Sequence, residues 1–157
     1  MFAVSAMVVA LMAPLVGPAP PVEPPVGGVS LDVLTVAGSG CSRDGVIVEL
    51  SPGNTSVIVS FDAYVASTGG GVSPVEFRKN CQIGMYLGGP PSYSFAIARV
   101  DYSGLAHVAS GATASLRGNF YWAGLGTPYA HSYPFTSPID GSWTWSYEVD
   151  SAALAWS

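Results

Sequence analysis

From residue 30 onward the chain is a series of short runs in which apolar and polar residues alternate, separated by glycine, proline, serine and asparagine. A period of two marks a half-buried β-strand, because successive side chains leave a pleated backbone on opposite faces. The run from Ala112 to Trp122 shows it best: Ala112, Ala114, Leu116, Phe120 and Trp122 alternate with Thr113, Ser115, Arg117, Asn119 and Tyr121. Between Ser142 and Asp150, the residues Trp143, Trp145, Tyr147 and Val149 define one face, and Ser142, Thr144, Ser146, Glu148 and Asp150 the other. Val57, Val59, Phe61, Ala63 and Val65 form a third inward set, entered from the turn Ser51-Pro52-Gly53-Asn54. Weaker patterns predict strands over 31–36, 46–50, 81–87, 93–100 and 102–109. Residues 129–135, with a histidine and a proline, read as a loop. No stretch sustains a helical period.

Many short strands, each with one apolar face, are best satisfied by two antiparallel sheets packed face to face, an all-β antiparallel sandwich. A partly closed β-barrel is the alternative, since the same alternation fills its interior. No internal repeat of fixed period points to a propeller or solenoid.

The amino terminus departs from this pattern. Phe2 to Val16 is an almost unbroken apolar run, interrupted at Pro14 and followed by Gly17-Pro18-Ala19-Pro20-Pro21-Val22-Glu23-Pro24-Pro25. It is shorter than the roughly 20 residues a bilayer span needs and matches the apolar region of a secretory leader. The expected organisation is therefore an export leader over residues 1–19, a proline-rich extended linker over 20–29 and a single β domain over 30–157. At the other end, Ala152-Ala153-Leu154-Ala155-Trp156-Ser157 reads as the start of an apolar strand without a terminator, which predicts further strands beyond Ser157 in the native chain.

Composition narrows the partners. Of 157 residues only five are Lys or Arg, against ten Asp or Glu, for a net charge of −5. That balance argues against nucleic acid, whose phosphates need a basic patch, and against an anionic membrane surface. The mature chain is expected to have no membrane span. Carbohydrate or cell-surface components are the partners compatible with an exported, weakly charged domain.

Cys41 and Cys81 are the only cysteines. In an exported protein such a pair is expected as one structural disulfide. Closing a loop of that length is worth about 4 kcal/mol in the chain-entropy picture. The competing readings are a reactive thiolate beside Arg78 and Lys79 and a zinc ligand, the latter lacking further cysteines or a close histidine pair. No cofactor or metal is expected.

Gly38-Ser39-Gly40-Cys41, Leu50-Ser51-Pro52, Arg78-Lys79-Asn80-Cys81-Gln82, Tyr93-Ser94-Phe95, Val100-Asp101-Tyr102-Ser103-Gly104, Phe120-Tyr121-Trp122-Ala123-Gly124 and Ala155-Trp156-Ser157 occur in an order that resembles the domain of unknown function 4360 family, small secreted proteins of fungi and bacteria. The resemblance runs from about Val33 to Ser157, and the Arg-Lys-Asn-Cys-Gln string is its most specific piece. It implies a β-rich secreted domain without established catalytic residues. It also implies a continuation past the Trp-Ser pair, with Pro-Cys and another sheet-forming segment.

Candidate functional residues are few. Arg78 and Lys79 form an adjacent basic pair beside a cysteine, of which one is expected to pair with Asp62, Glu76 or Asp101 while the other is solvated. Tyr129, Tyr133 and Phe135 are the aromatics expected to be exposed, whereas Trp122, Trp143 and Trp145 follow the inward period. His107 and His131 are isolated in sequence. Asp62, Asp101, Asp140, Glu148 and Asp150 lack a telling spacing for paired-carboxylate hydrolysis, and Glu148 and Asp150 share a solvated strand face. Asn54-Thr55-Ser56 fits an N-glycosylation acceptor in a turn. The expected function is a secreted, non-catalytic interaction or structural protein. The alternatives are a carbohydrate-binding module, requiring exposed coplanar aromatics, and a small hydrolase, requiring a histidine beside a nucleophile or carboxylate in a cleft.

Overall fold

The computed structural model describes residues 2–11 through their backbone, and residues 28–124 and 129–157 in full. Positions 12–19 of the expected leader and 20–27 of the expected linker lie outside the described residues. The strands are β1 (Phe2–Leu11), β2 (Ser30–Ala37), β3 (Val46–Leu50), β4 (Ser56–Phe61), β5 (Val65–Ala66), β6 (Gln82–Gly88), β7 (Ile97–Val108), β8 (Ala114–Phe120), β9 (Tyr129–Phe135) and β10 (Ile139–Glu148). Short 3₁₀ turns at Arg43–Gly45, Pro74–Glu76 and Ser151–Ala153 are the helical pieces.

One six-stranded sheet runs in the order β10-β7-β1-β4-β3, with β5 also paired to β1. Two ribbons, β2–β6 and β8–β9, complete the fold, and every pairing is antiparallel. The large sheet supplies the largest fully buried side chains, Val57, Val59 and Val100, together with Tyr102, Ala106, Val108 and Trp143. Leu31, Ile83, Met85 and Leu87 of one ribbon, and Leu116, Phe120, Tyr133 and Phe135 of the other, pack against them. The result is an open all-β sandwich whose second layer is split into two ribbons, not a closed barrel.

The strongest alternations appear where the pattern places them. In β10, Trp143 is buried and Trp145 and Tyr147 half-buried, while Ser142, Thr144, Ser146 and Glu148 face water. In β8, Leu116 and Phe120 are buried on the inward face. Gly118 occupies the inward position between them, where a side chain would collide with Tyr102 and His131.

Three expectations are corrected. The segments expected as separate strands at 93–100 and 102–109 are one strand, β7, whose polar residues Arg99, Asp101 and Ser103 simply take the outer face. Residues 129–135 are strand β9, not a loop: Tyr129, His131, Tyr133 and Phe135 alternate inward, and Pro134 sits opposite Ser115 on a ribbon whose far side has no partner strand among the described residues. Residues 152–157 form no strand. They make a single bridge, Trp156 to Ala96, and Ser157 exchanges hydrogen bonds with Phe95.

Phe2–Leu11, the first part of the expected leader, is an interior strand. It pairs with β7 from Phe2↔Ala106 to Leu11↔Ile97, and with β4 from Ala6↔Ser60 to Ala10↔Ser56.

Candidate functional site

The β2–β6 ladder runs from Ser30↔Gly88 to Ala37↔Gln82, so it delivers the segments just beyond its end, residues 38–41 and 78–81, to one place. Cys41 and Cys81 are joined there by a disulfide with their Cα atoms 5.5 Å apart. With both sulfurs in that bond, neither acts as a thiolate or a zinc ligand. A polar clasp flanks it. The Asn80 side-chain oxygen accepts from the Ser39 amide (3.2 Å) and hydroxyl (2.9 Å), and the Asn80 amide donates to the Ser39 hydroxyl (3.2 Å). The Gly40 amide donates to the Asn80 carbonyl at 2.9 Å.

The glycines of Gly38-Ser39-Gly40 permit this approach. A Cβ on Gly38 would lie 2.1 Å from the Asn80 carbonyl oxygen, and one on Gly40 would lie 2.2 Å from the Tyr64 ring. The Tyr64 hydroxyl in turn donates to the Lys79 carbonyl at 3.3 Å, and burial pushes that phenol above its ordinary pKa.

This clasp anchors the exit of the loop between β5 and β6. Its neck is closed by the Ser67 amide donating to the Glu76 carbonyl at 2.9 Å. Between the two fixed points, Val72, Val75 and Phe77 stand 37%, 70% and 66% exposed. Lys79 pairs with Glu76 at 2.8 Å, whereas Arg78 is exposed and forms no ion pair among the described residues. One basic residue is thus absorbed by structure and its neighbour is open to solvent. The apolar residues beside them were not singled out by the sequence pattern. Their trace in sequence is faint: three large apolar residues inside a Gly-, Ser- and Pro-rich segment with no alternation to bury them.

The other expected site residues are dispersed. Tyr129 and Tyr133 are half-buried and Phe135 is buried, because β9 presses its inward face onto β10. Phe135 meets Trp143 edge-on at 4.9 Å, Tyr133 stacks on Trp145 at 5.0 Å, and His131 stacks on Tyr147 at 4.2 Å. These rings are interior, which corrects the expectation of exposed aromatics there. The expectation that Trp143, Trp145 and Trp122 pack inward agrees with their burial and contacts.

His131 exchanges a 2.7 Å hydrogen bond with the Tyr102 hydroxyl. Burial lowers the histidine pKa and raises that of the tyrosine. His107 lies 3.2 Å from Asp140, but both are on the open outer face of the large sheet. On that same face Asp101 accepts from Arg99 (2.8 Å) and Ser146 (2.5 Å), beside a shallow recess of about 280 Å³. The Ser146 hydroxyl also accepts from Arg99 at 3.1 Å, so it relays between guanidinium and carboxylate. Asn54 sits in the β3–β4 turn at φ 57°, the left-handed conformation that asparagine tolerates. Among the described residues, no three of His, Cys, Asp and Glu gather as metal ligands.

The clasp joins the two motifs that are most distinctive in the sequence, and comparison with known proteins bears on them. A family model described as Domain of unknown function (DUF4360) matches residues 27–157. The chain belongs to that family. A relative from Arthroderma benhamiae, described as an uncharacterized secreted protein, is 31% identical over 124 residues. The aligned part is 79% of this chain and 51% of the relative, so the chain spans about half the length of the curated relative it matches. No solved structure matches the chain. The DUF4360 match includes both halves of the clasp and the whole exposed loop, so the geometry described above belongs to the family domain and not to the preceding segment.

Proposed function

We propose that this DUF4360 protein acts outside the cell as a non-catalytic interaction protein, with the loop from Gly69 to Asn80 as its contact surface. One observation carries the reading. Val75 and Phe77, two of the most exposed large apolar residues, stand beside the exposed Arg78 on a loop held by a covalent bond and the Ser39–Asn80 clasp. Ordering a flexible loop on binding costs conformational entropy, and a loop already fixed at neck and exit avoids much of that cost. Apolar side chains flanked by a guanidinium suit a protein or wall-polymer surface with both greasy and anionic features.

Export through a leader at residues 1–19 fits the secreted relative, the disulfide and the apolar amino terminus. The Asn54 acceptor, on a turn at the sheet end, is where a glycan would be accommodated in a glycosylating host. The carbohydrate-binding alternative draws no support from the β9–β10 aromatics, which stack on one another.

The test compares retention of labelled, oxidised protein on isolated cell walls of the producing organism. The paired substitution Val75→Ser with Phe77→Ser should reduce retention about tenfold, the effect of removing interface anchors, while leaving the melting temperature unchanged. Equal retention of variant and parent would sink the assignment. Capture by a defined glycan that ignores this loop would favour the carbohydrate module instead.

A further inference from the structure

On the outer face of the β2–β6 ribbon two large apolar side chains stand in solvent: Leu34 is 62% and Tyr86 57% exposed. Local geometry puts both there. The ladder slips between Val33↔Met85 and Thr35↔Gly84, which makes Leu34 an extra residue without a partner of its own, and a bulge of this kind re-aims a side chain. Ile83, Met85 and Leu87 turn toward the core, so the period of two leaves Tyr86 pointing outward between Gly84 and Gly88. A Cβ on Gly88 would lie 3.2 Å from Tyr86 Cε1, so the ring leans along the strand over that glycine. Directly opposite Tyr86 in the ladder is Asp32. It is exposed, and its carboxylate has no ion pair or hydrogen bond among the described residues.

An open carboxylate beside an aromatic ring selects a cation, because both the carboxylate and the electron-rich ring face attract positive charge. The neighbouring leucine favours a cation that has apolar company. The chain carries such a group itself: Phe77 and Arg78 are adjacent and exposed on the clasped loop, and Arg78 has no ion pair among the described residues. Arg78 does not reach the ribbon face of its own molecule. It enters the ribbon at the Ser39–Asn80 clasp, and from Gln82 to Tyr86 the strand rises a further 13 Å or about that. We propose that the β2–β6 face receives the loop of a second copy, with Arg78 of one copy between Asp32 and the Tyr86 ring of the other and Phe77 against Leu34. Because loop and face lie at different heights along one ribbon, two antiparallel ribbons set face to face seat both loops at once. That is a two-fold dimer in which each contact occurs twice. Arginine and tyrosine are the residue types that dominate such interfaces. The inference rests on the loop being a contact surface, as given under the proposed function, and names what it contacts.

The experiment follows the mass of the oxidised full chain over a concentration series by sedimentation equilibrium. The parent should pass from one copy to two as concentration rises. Arg78→Asp and Asp32→Arg should each raise the dimer dissociation constant about tenfold or more, since each sets like charges face to face. Combined, they restore an opposite pair in reverse and should return the constant to within about threefold of the parent. Tyr86→Ala should weaken the dimer about tenfold by loss of the ring. All three side chains are exposed, so melting temperatures should match the parent and separate weak pairing from poor folding. A parent that stays a single copy throughout overturns the proposal, and so does a combined variant as weak as the single ones or a species that grows beyond two copies. Cell-wall retention is measured on the same proteins. A single-copy parent whose retention depends on Val75 and Phe77 refutes the dimer alone, whereas a dimer rescued by the charge exchange, with retention indifferent to the loop, refutes the wall contact alone.

Discussion

Gly118→Ala is the most demanding test of the inter-sheet packing, because one added methyl meets two rings at once. A Cβ at position 118 would lie 2.2 Å from the Tyr102 hydroxyl oxygen, 2.3 Å from His131 Nε2 and 2.6 Å from His131 Cε1. Ordinary carbon contacts begin at roughly 3.5 Å, so each neighbour must retreat by about 1 Å. Neither has room. Tyr102 is only 5% exposed and stacks on Trp145 at 5.7 Å, and His131 is backed by Tyr147 at 4.2 Å. The retreat therefore breaks the 2.7 Å Tyr102–His131 hydrogen bond. Leaving that hydroxyl unpaired costs about 1–3 kcal/mol, and overpacking costs about 1–3 kcal/mol. These penalties overlap, and a total of about 3 kcal/mol corresponds to a fall in Tm of about 10 °C for a domain of this size. Thermal melts followed by near-ultraviolet circular dichroism, with urea titration alongside, measure it. The cause is isolated by repeating Gly118→Ala in a Tyr102→Phe, His131→Ala background, where the colliding atoms are gone and the cost should fall below about 1 kcal/mol. A full cost in that background, or a Tm within about 2 °C of the parent in the single variant, would refute the packing argument.

Three further outcomes test the His131 packing, the disulfide and the Ser39–Asn80 clasp. Burial holds His131 below its ordinary pKa among Tyr102, Tyr147 and Trp145. The unfolded chain therefore takes up this proton first, and the stability His131 contributes is present above about pH 6.5 and lost as pH falls toward the folded value. His131→Gln keeps a partner for Tyr102 without titrating, so urea midpoints between pH 7 and 5 should fall less steeply in that variant than in the parent; parallel curves would contradict the assignment. Replacing Cys41 and Cys81 together by serine should cost about 4 kcal/mol, the loop-closure value for a separation of 40 residues. Asn80→Ala in the oxidised protein should cost only about 1–2 kcal/mol by loss of the Ser39 bonds, and denaturant midpoints that rank the two the other way would show that the clasp, not the sulfur bond, holds the loop.

Much of the sandwich was legible because it is written locally. Strands β4, β8 and β10 follow from alternation alone, since each side chain's face is set by its own backbone and not by its partner. The β3–β4 turn follows from Pro52, Gly53 and Asn54, and Gly53 and Asn54 both adopt positive φ there. The disulfide follows from cysteine chemistry and the expected compartment. Asp101 misled because one acid between apolar residues looks like a break, yet in β7 it merely occupies the outward position. Tyr129–Phe135 misled because His131 and Pro134 are poor strand residues by composition: His131 is accommodated by Tyr102 on β7 and Tyr147 on β10, and Pro134 by its exposed position in a two-stranded ribbon, and neither is visible in the local sequence. The exposed loop was hidden for the opposite reason: hydrophobic residues are expected to be buried, and Val75 and Phe77 are left outside by a clasp formed between residues far away in the chain.

What the amino-acid sequence determined by itself is therefore the class of structure: extended segments with one greasy face, punctuated by turn formers, with two sulfurs available to join. Which segments meet is another matter. The insertion of Phe2–Leu11 between β4 and β7, the fit of His131 into the space left by Gly118, and the meeting of Ser39 with Asn80 all depend on contacts between distant residues. An apolar run reads identically to a membrane, a translocation channel or a sheet interior, because hydrophobicity is non-directional. Only the backbone hydrogen-bond partners available in the assembled sheet make it a strand.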